Sequence, residues 1–269
     1  SNVCSSDLTL TLANPTAITG TNTTLTVGGA GNLNILGAIS LGTGSLTKDG
    51  FGTLILQGVN NYSGATNVNE GVLQILDAKA LPAASTLNLG LQTTFQVNSV
   101  NPVTLTNPVV LNSGASTISF IKANTTAANT SLVDFAGVIS GGNDSSVLYF
   151  NTSLSGDYAG GFRLSGANTF LGTVQLNRGT LAVTSNASLG DSANPLYVNA
   201  NTNSQLRFDA PMTFARQTTF VTATQLNTLG NNVDFSGAIL GGGALTKIGE
   251  DRKSTRLNSS HGYISYAVF

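Results

Sequence analysis

Apolar residues along this chain alternate with polar ones over short stretches and then stop at Gly, Asn, Asp or Pro. Such a pattern predicts short strands with one buried face, because a strand points successive side chains to opposite sides. It places strands at Thr9 to Leu12, Thr24 to Val27, Thr53 to Leu56, Gly71 to Ile75, Ser116 to Phe120, Ser146 to Phe150, Gly179 to Val183 and Gln205 to Phe208. No window of comparable length repeats its apolar residues at helical spacing.

The pattern also recurs at a longer period, near one hundred residues. Ile35 to Leu46 reads ILGAISLGTGSL, Phe135 to Asn143 reads FAGVISGGN and Phe235 to Lys247 reads FSGAILGGGALTK, which puts Gly37, Gly137 and Gly237 in register. Asn60 to Ile75, NNYSGATNVNEGVLQI, aligns with Asn168 to Val183, NTFLGTVQLNRGTLAV, setting Tyr62 over Phe170 and Gly71 over Gly179 at an offset of 108 residues. Units of about 9–110, 111–210 and 211–249 follow, the third only begun. A sandwich or barrel offers many strands but no reason for hundred-residue units with glycines in register. A solenoid explains both, since each coil buries against its neighbours an apolar interior it could not bury alone. At roughly 22 residues per coil, residues 9–249 make about eleven rungs and a rod on the order of 50 Å long at about 4.8 Å per rung.

Composition narrows the function. Of 269 residues 41% are hydrophobic, only 9% are charged and 31 are glycine, whereas an ordinary domain carries about a quarter charged residues. Thr, Ser and Asn fill the polar positions, and they favour strands and turns over helix interiors. Eleven basic against twelve acidic residues leave no electrostatic footprint for nucleic acid, so no nucleic-acid partner is expected. No apolar run approaches the length of a membrane helix, and no charged segment with an apolar core opens the chain as an export signal would.

The two ends differ from the body. Asp251 to Phe269, DRKSTRLNSSHGYISYAVF, resembles the conceptual translation of a short-read sequencing adapter, and Val3 to Leu8, VCSSDL, resembles part of the opposite adapter. Residues 1–8 and 250–269 are therefore expected to be adapter-derived tails around a body of 9–249, with the natural start and end both missing. Cys4 and His261, the only cysteine and histidine, fall in those tails. The body then holds no thiol for a disulfide or metal and no imidazole for general-base work.

Leu46 to Ile75, LTKDGFGTLILQGVNNYSGATNVNEGVLQI, resembles the passenger-associated transport repeat of bacterial autotransporters, with the pattern L-T-K-x-G-x-G-T-L-x-L-x-G-x-N-x-Y-x-G-x-T-x-V-x-x-G-x-L. Leu46, Thr47, Lys48, Gly50, Gly52, Thr53, Leu54, Gly58, Asn60, Tyr62, Gly64, Thr66, Val68, Gly71 and Leu73 carry the match, with Asn60 and Asn61 shifted by one against the usual asparagine. A second copy from Leu164 keeps the later half through Gly166, Asn168, Phe170, Gly172, Val174, Gly179 and Leu181, with Phe170 in place of the tyrosine. A third opens after Gly237 with Leu245, Thr246 and Lys247. The resemblance implies an all-β, right-handed parallel β-helix passenger. It also implies export to the cell surface through a carboxyl-terminal β-barrel translocator missing from this chain. These are structural residues; no catalytic, cofactor or metal residue is assigned, and no small-molecule substrate.

Sharper chemistry has weak support. Gly50 with Gly52, and Gly241 to Gly243, suit tight corners better than a phosphate cradle, because no Gly-Lys-Ser or Gly-Lys-Thr follows. Tyr62 and Phe170 are expected to stack between coils, the alternative being a sugar platform. Asn60, Asn61, Asn67 and Asn69 are expected to satisfy turns or form ladders. Gly141 to Asp144 is read as a plain turn ahead of a calcium-binding one. Asp134 and Asp234, each before a phenylalanine, are assigned a turn role, and no two acids sit within three residues of each other in the body, so a glycosidase-type pair is not evident. The expected function is a structural surface stalk that aids export and displays a distal domain. An adhesin or a self-associating or glycan-binding module is the alternative, and a polysaccharide-degrading enzyme the remote one.

Overall fold

The structure, a computed structural model, describes residues 9–14, 18–114, 116–123, 130–150, 160–199 and 204–249. The two adapter-like tails lie outside the described residues. The rest is a β-solenoid in which every strand pairing is parallel. Each coil runs through three faces. Among the described residues there is no α-helix, only two 3-10 turns at Ala78–Ala80 and Asn186–Leu189.

Face 1 is the longest. Eleven strands stack on it, from Thr9–Leu12 through Asn32–Ile35, Thr53–Leu56, Gly71–Ile75, Gln92–Asn98, Thr117–Ala123, the second half of Ile139–Phe150, Leu171–Leu176, Leu196–Val198 and Thr218–Phe220 to Ile239–Leu240. The expected strands all occur here or on the other faces; two start one residue later, at Leu25 and Thr180, and two more have larger corrections. Thr117–Ala123 runs past Phe120, and Ile139–Phe150 is one twelve-residue strand that turns the corner from face 3 to face 1. Face 2 carries Ile18–Thr19, Ile39–Gly42 and Asn61–Tyr62, then the 3-10 turn Ala78–Ala80, then seven strands from Val103–Leu105 to Leu245–Ile248. Face 3 carries Leu25–Val27 to Val109–Leu111, the start of Ile139–Phe150, the turn Asn186–Leu189, and then Met212–Phe214 and Val233–Phe235.

The strict alternation explains the core. Leu33, Leu54, Leu73, Phe95, Phe120, Phe150 and Leu176 point inward along face 1, each in register with its counterpart in the next coil. Coils lengthen in the middle, from 19 residues between Thr53 and Val72 to 30 between Thr117 and Val147, and aromatic rings fill the wider section. Phe95, Phe120 and Phe150 from face 1 meet Phe135 and Phe162 from face 2, with Phe120 stacked on Phe150 at 5.1 Å. Phe208, Phe214 and Phe235 form a second cluster further on. Burying each such ring contributes roughly 1.5–3 kcal/mol.

Gly37, Gly137 and Gly237 stand in register in the sequence but at three different corners. Gly37 lies between faces 1 and 2, Gly137 between faces 2 and 3, and Gly237 between faces 3 and 1. One repeat therefore spans four coils plus one face, so successive copies rotate by a third of a turn. The corners still need the same residue, because the neighbouring coil passes so close. A Cβ on Gly58 would lie 2.2 Å from the Gly37 carbonyl oxygen, one on Gly137 2.1 Å from that of Asn107 and one on Gly237 2.2 Å from that of Arg216. Gly58→Ala or Gly137→Ala should lower the urea unfolding midpoint by about 1–3 kcal/mol equivalent. Gly242→Ala, where a Cβ meets nothing within 4 Å, should leave it within about 0.5 kcal/mol. Equal midpoints for the three variants would remove the close-approach argument.

Candidate functional site

The residues shared by the repeats converge on the corners between faces. Asn60 and Asn168 show it best. Asn60 Oδ1 accepts a hydrogen bond from the Ile39 amide in the preceding coil at 2.8 Å, and its Nδ2 donates to the Ala80 carbonyl in the following coil at 2.7 Å. Asn168 does the same between the Ile139 amide, at 2.7 Å, and the Ser188 carbonyl, at 2.6 Å. Their own amides donate to Lys79 and Ala187 respectively. Each asparagine is buried and staples three coils, answering polar groups that water cannot reach. Asn60 sits between faces 1 and 2, Asn168 between faces 2 and 3, as the third-of-a-turn rotation requires.

The receiving carbonyls belong to the two 3-10 turns, which the sequence reading missed. Asp77 caps the first through its Oδ1, which accepts from the Lys79 amide at 2.9 Å. In the second, Ser188 Oγ accepts from the Ser185 amide at 3.1 Å. Asp77-Ala-Lys-Ala-Leu81 lies 108 residues before Ser185-Asn-Ala-Ser-Leu189, the same offset as Asn60 to Asn168. That shared offset, with a capping residue type ahead of a small-residue run, was the available signal.

Lys48 of the L-T-K entry is buried to 3% exposure. Its Nζ donates to the carbonyls of Asp49 and Gly50 at the corner and to that of Glu70 one coil on. Burial lowers its pKa, while Asp49 and Glu70 act to raise it. Thr66 joins Tyr62 to the next coil: Tyr62 Oη lies 2.7 Å from Thr66 Oγ1, which lies 2.9 Å from Ser85 Oγ. Gly71 and Gly179, at φ +72° and +76°, start equivalent strands on faces 1 and 2 from a backbone angle that a side chain disfavours. Leu54, Val68, Leu73, Val174 and Leu181 are core residues, and Thr47 and Thr53 are half-buried in their strands. Lys247, Thr246 and Leu245 form the final strand on face 2.

The rings of Tyr62 and Phe170 are 2% and 0% exposed, so neither offers a platform to a sugar. The ring-to-ring contacts fall instead on the phenylalanine clusters. Asn67 and Asn88 form a ladder on face 3, Asn88 Nδ2 donating to Asn67 Oδ1 at 2.7 Å, and Asn69 Nδ2 donates to Asp49 Oδ1 at 2.7 Å. Asn143 closes a local turn by accepting from the Ser145 amide at 2.9 Å, and among the described residues no group of acidic, Cys or His side chains is placed to hold a metal.

Asp134 and Asp234 correct the turn assignment. Both lie mid-strand and point outward between inward Val133 and Phe135, and between Val233 and Phe235. On face 2 the structure joins what the sequence kept apart. Arg163 Nη1 donates to Asp134 Oδ2 at 2.9 Å and its Nε lies 2.9 Å from Asp209 Oδ2, while Arg207 holds Asp209 at 2.6 and 2.9 Å. This ion-pair ladder crosses four rungs above the buried Ala182 and edges an open depression of about 560 Å³. Arg216 was also missed. It is 1% exposed, donates to the carbonyls of Asn186, Leu189, Asp191 and Asn194, and lies 5.9 Å over the Phe214 ring. Burial pulls its pKa down to about 10, against the pull of Asp191.

What these corners define is a β-solenoid whose coils are pinned together by repeat-encoded side chains. Residues 46–75 and 157–183 match the family model of the passenger-associated-transport repeat. Two segments of the chain are thus similar to that repeat, which together with the solenoid fold supports a structural role of the autotransporter-passenger type. The second match begins upstream of Leu164 and takes in Gly161–Leu164, the face 2 counterpart of Thr53–Leu56. No curated protein and no solved structure matches the chain.

Asn60→Ala and Asn168→Ala should each cost about 2 kcal/mol or more, since each leaves buried backbone groups unanswered, whereas the exposed Asn61→Ala should stay within about 0.5 kcal/mol. Chemical denaturation of the three variants checks it, and similar midpoints would remove the staple. Tyr62 supplies a pH test. Burial raises its pKa to about 12 from the ordinary 10.0. The folded state therefore favours the protonated phenol, so the associated stability is complete below pH 10 and is lost as pH rises toward 12. The loss should reach roughly 2–3 kcal/mol. Tyr62→Phe, which places the residue of Phe170 at the equivalent corner, should fold and show a shallower loss of stability between pH 10 and 12.

Proposed function

We propose that the chain is a stalk segment of a surface-displayed or secreted autotransporter passenger. In this reading it aids its own export by folding coil upon coil and carries a distal domain away from the cell, in a full-length protein with a carboxyl-terminal barrel. Its role is structural and not catalytic. The observation that supports this best is the three-coil asparagine staple, repeated at Asn60 and Asn168 with equivalent backbone partners. A staple of that kind makes each finished coil a template for the next, and stability in such a stack builds from neighbour to neighbour. Sequential folding outside the membrane would draw the chain outward and oppose its return.

The test is to place residues 9–249 between a signal sequence and a translocator barrel and measure protease-resistant passenger at the cell surface. Asn60→Ala with Asn168→Ala should reduce the resistant surface fraction several-fold while barrel insertion stays unchanged. Undiminished resistant display of the double variant would count against folding-assisted export. An adhesive second role, toward a glycan, a host surface or another copy, is favoured by one feature, the long uncharged outer surface of face 1.

A further inference from the structure

We propose that the outer surface of face 1 binds a linear, uncharged polysaccharide laid along the solenoid axis, with Tyr149 and Tyr197 as stacking platforms. The adhesive setting rests on the surface-display reading above; the chemistry of the face does not. Parallel register lines up one outward row across the later rungs: Thr94, Ser119, Tyr149, Gln175, Tyr197, Thr219 and Leu240. It continues the row Thr9, Asn32, Thr53 and Val72 of the earlier rungs. None of these residues is charged. The charged side chains go elsewhere: Asp134, Arg163, Arg207 and Asp209 to face 2, Asp49 and Glu70 to the corner between faces 3 and 1, and Lys122 into the interior of the solenoid.

The choice of partner follows from what the row offers. A nucleic acid or an acidic polymer needs cations to meet its charge, and this row has none. A protein partner needs about 800 Å² on each side with an apolar centre, whereas the middle of this row mixes rings with hydroxyls and an amide. Tyrosine gives an apolar ring with a polar tip, which suits a pyranose that has a C–H face and a hydroxyl edge. Tyr149 and Tyr197 stand two rungs apart with Gln175 between them, a separation of about 10 Å. In an extended β-1,4-linked chain alternate sugars turn the same face to one side, so two rings at alternate rungs meet equivalent faces. Gln175 Nε2 donates to Asn177 Oδ1 at 2.8 Å, which fixes the amide between the rings.

The experiment is depletion of the purified 269-residue chain from solution by insoluble cellulose, with alginate beads as the anionic comparison. The chain should bind cellulose, little affected by salt, and Tyr149→Ala with Tyr197→Ala should weaken retention about tenfold or more. Asn88→Ala on face 3 should not weaken it. Should the alanine pair lose its far-ultraviolet strand spectrum, Tyr149→Thr with Tyr197→Thr replaces it, threonine being native to the same row at Thr94 and Thr219. No retention on cellulose, retention unchanged in the tyrosine variant, or retention on alginate alone would overturn the proposal. So would a dimer in sedimentation that the tyrosine variant disperses, since the face would then serve a second copy. A folded chain that fails to bind leaves the export reading standing, because that reading is scored by display and not by retention.

Discussion

Parallel, in-register stacking is the constraint from which the rest of this molecule follows. Each coil hydrogen-bonds to the coils on either side, so like positions fall above one another and the inward residues become rows. A row of leucines or phenylalanines is self-consistent in a way a scattered core is not, because each coil offers the next the same shape it received. The constraint also has a cost. Corners bring backbones into near contact, and the strands leave amides and carbonyls there without ladder partners. Glycine solves the first difficulty at Gly58 and Gly137, and buried polar side chains solve the second.

The polar side chains chosen for that task differ from corner to corner. Asn60 and Asn168 present an acceptor to one coil and a donor to the next, which a carboxylate or an ammonium alone cannot do. Lys48 meets three carbonyls with three donors, and Arg216 spans the wider corner of residues 186–194 with a planar fork. Their lowered pKa values have one origin, the loss of water around a charge, offset by nearby carboxylates, Asp49 and Glu70 for Lys48 and Asp191 for Arg216. A chain with 9% charged residues places several of them as internal struts, and the solvent-facing row of face 1 is left to hydroxyls, amides, two tyrosines and the aliphatic Val72 and Leu240.

The rotation of the repeat by a third of a turn spreads this arrangement around the axis. A repeat matching a whole number of coils would place every copy on one side of the rod. Four coils plus one face instead distribute the staples around the axis, so no single side carries all the pinned corners.

Much of this was legible in the sequence, for a physical reason. Strand alternation, the repeat and the equivalence of Tyr62 with Phe170 are local properties, fixed by the geometry of an extended chain and by which residues tolerate its corners. The number of rungs on face 1 followed from a coil length and a repeat. Other features depend on how coils of 19 to 30 residues stack. Only the tertiary structure places Gly37, Gly137 and Gly237 at three different corners, turns Lys122 and Arg216 inward, and joins Asp134 to Arg163 and Asp209. Only it sets Tyr149 and Tyr197 in one row. Sequence spacing determines what each coil is made of; the path length of every intervening coil determines which residues lie above one another, and that sum is settled when the stack closes.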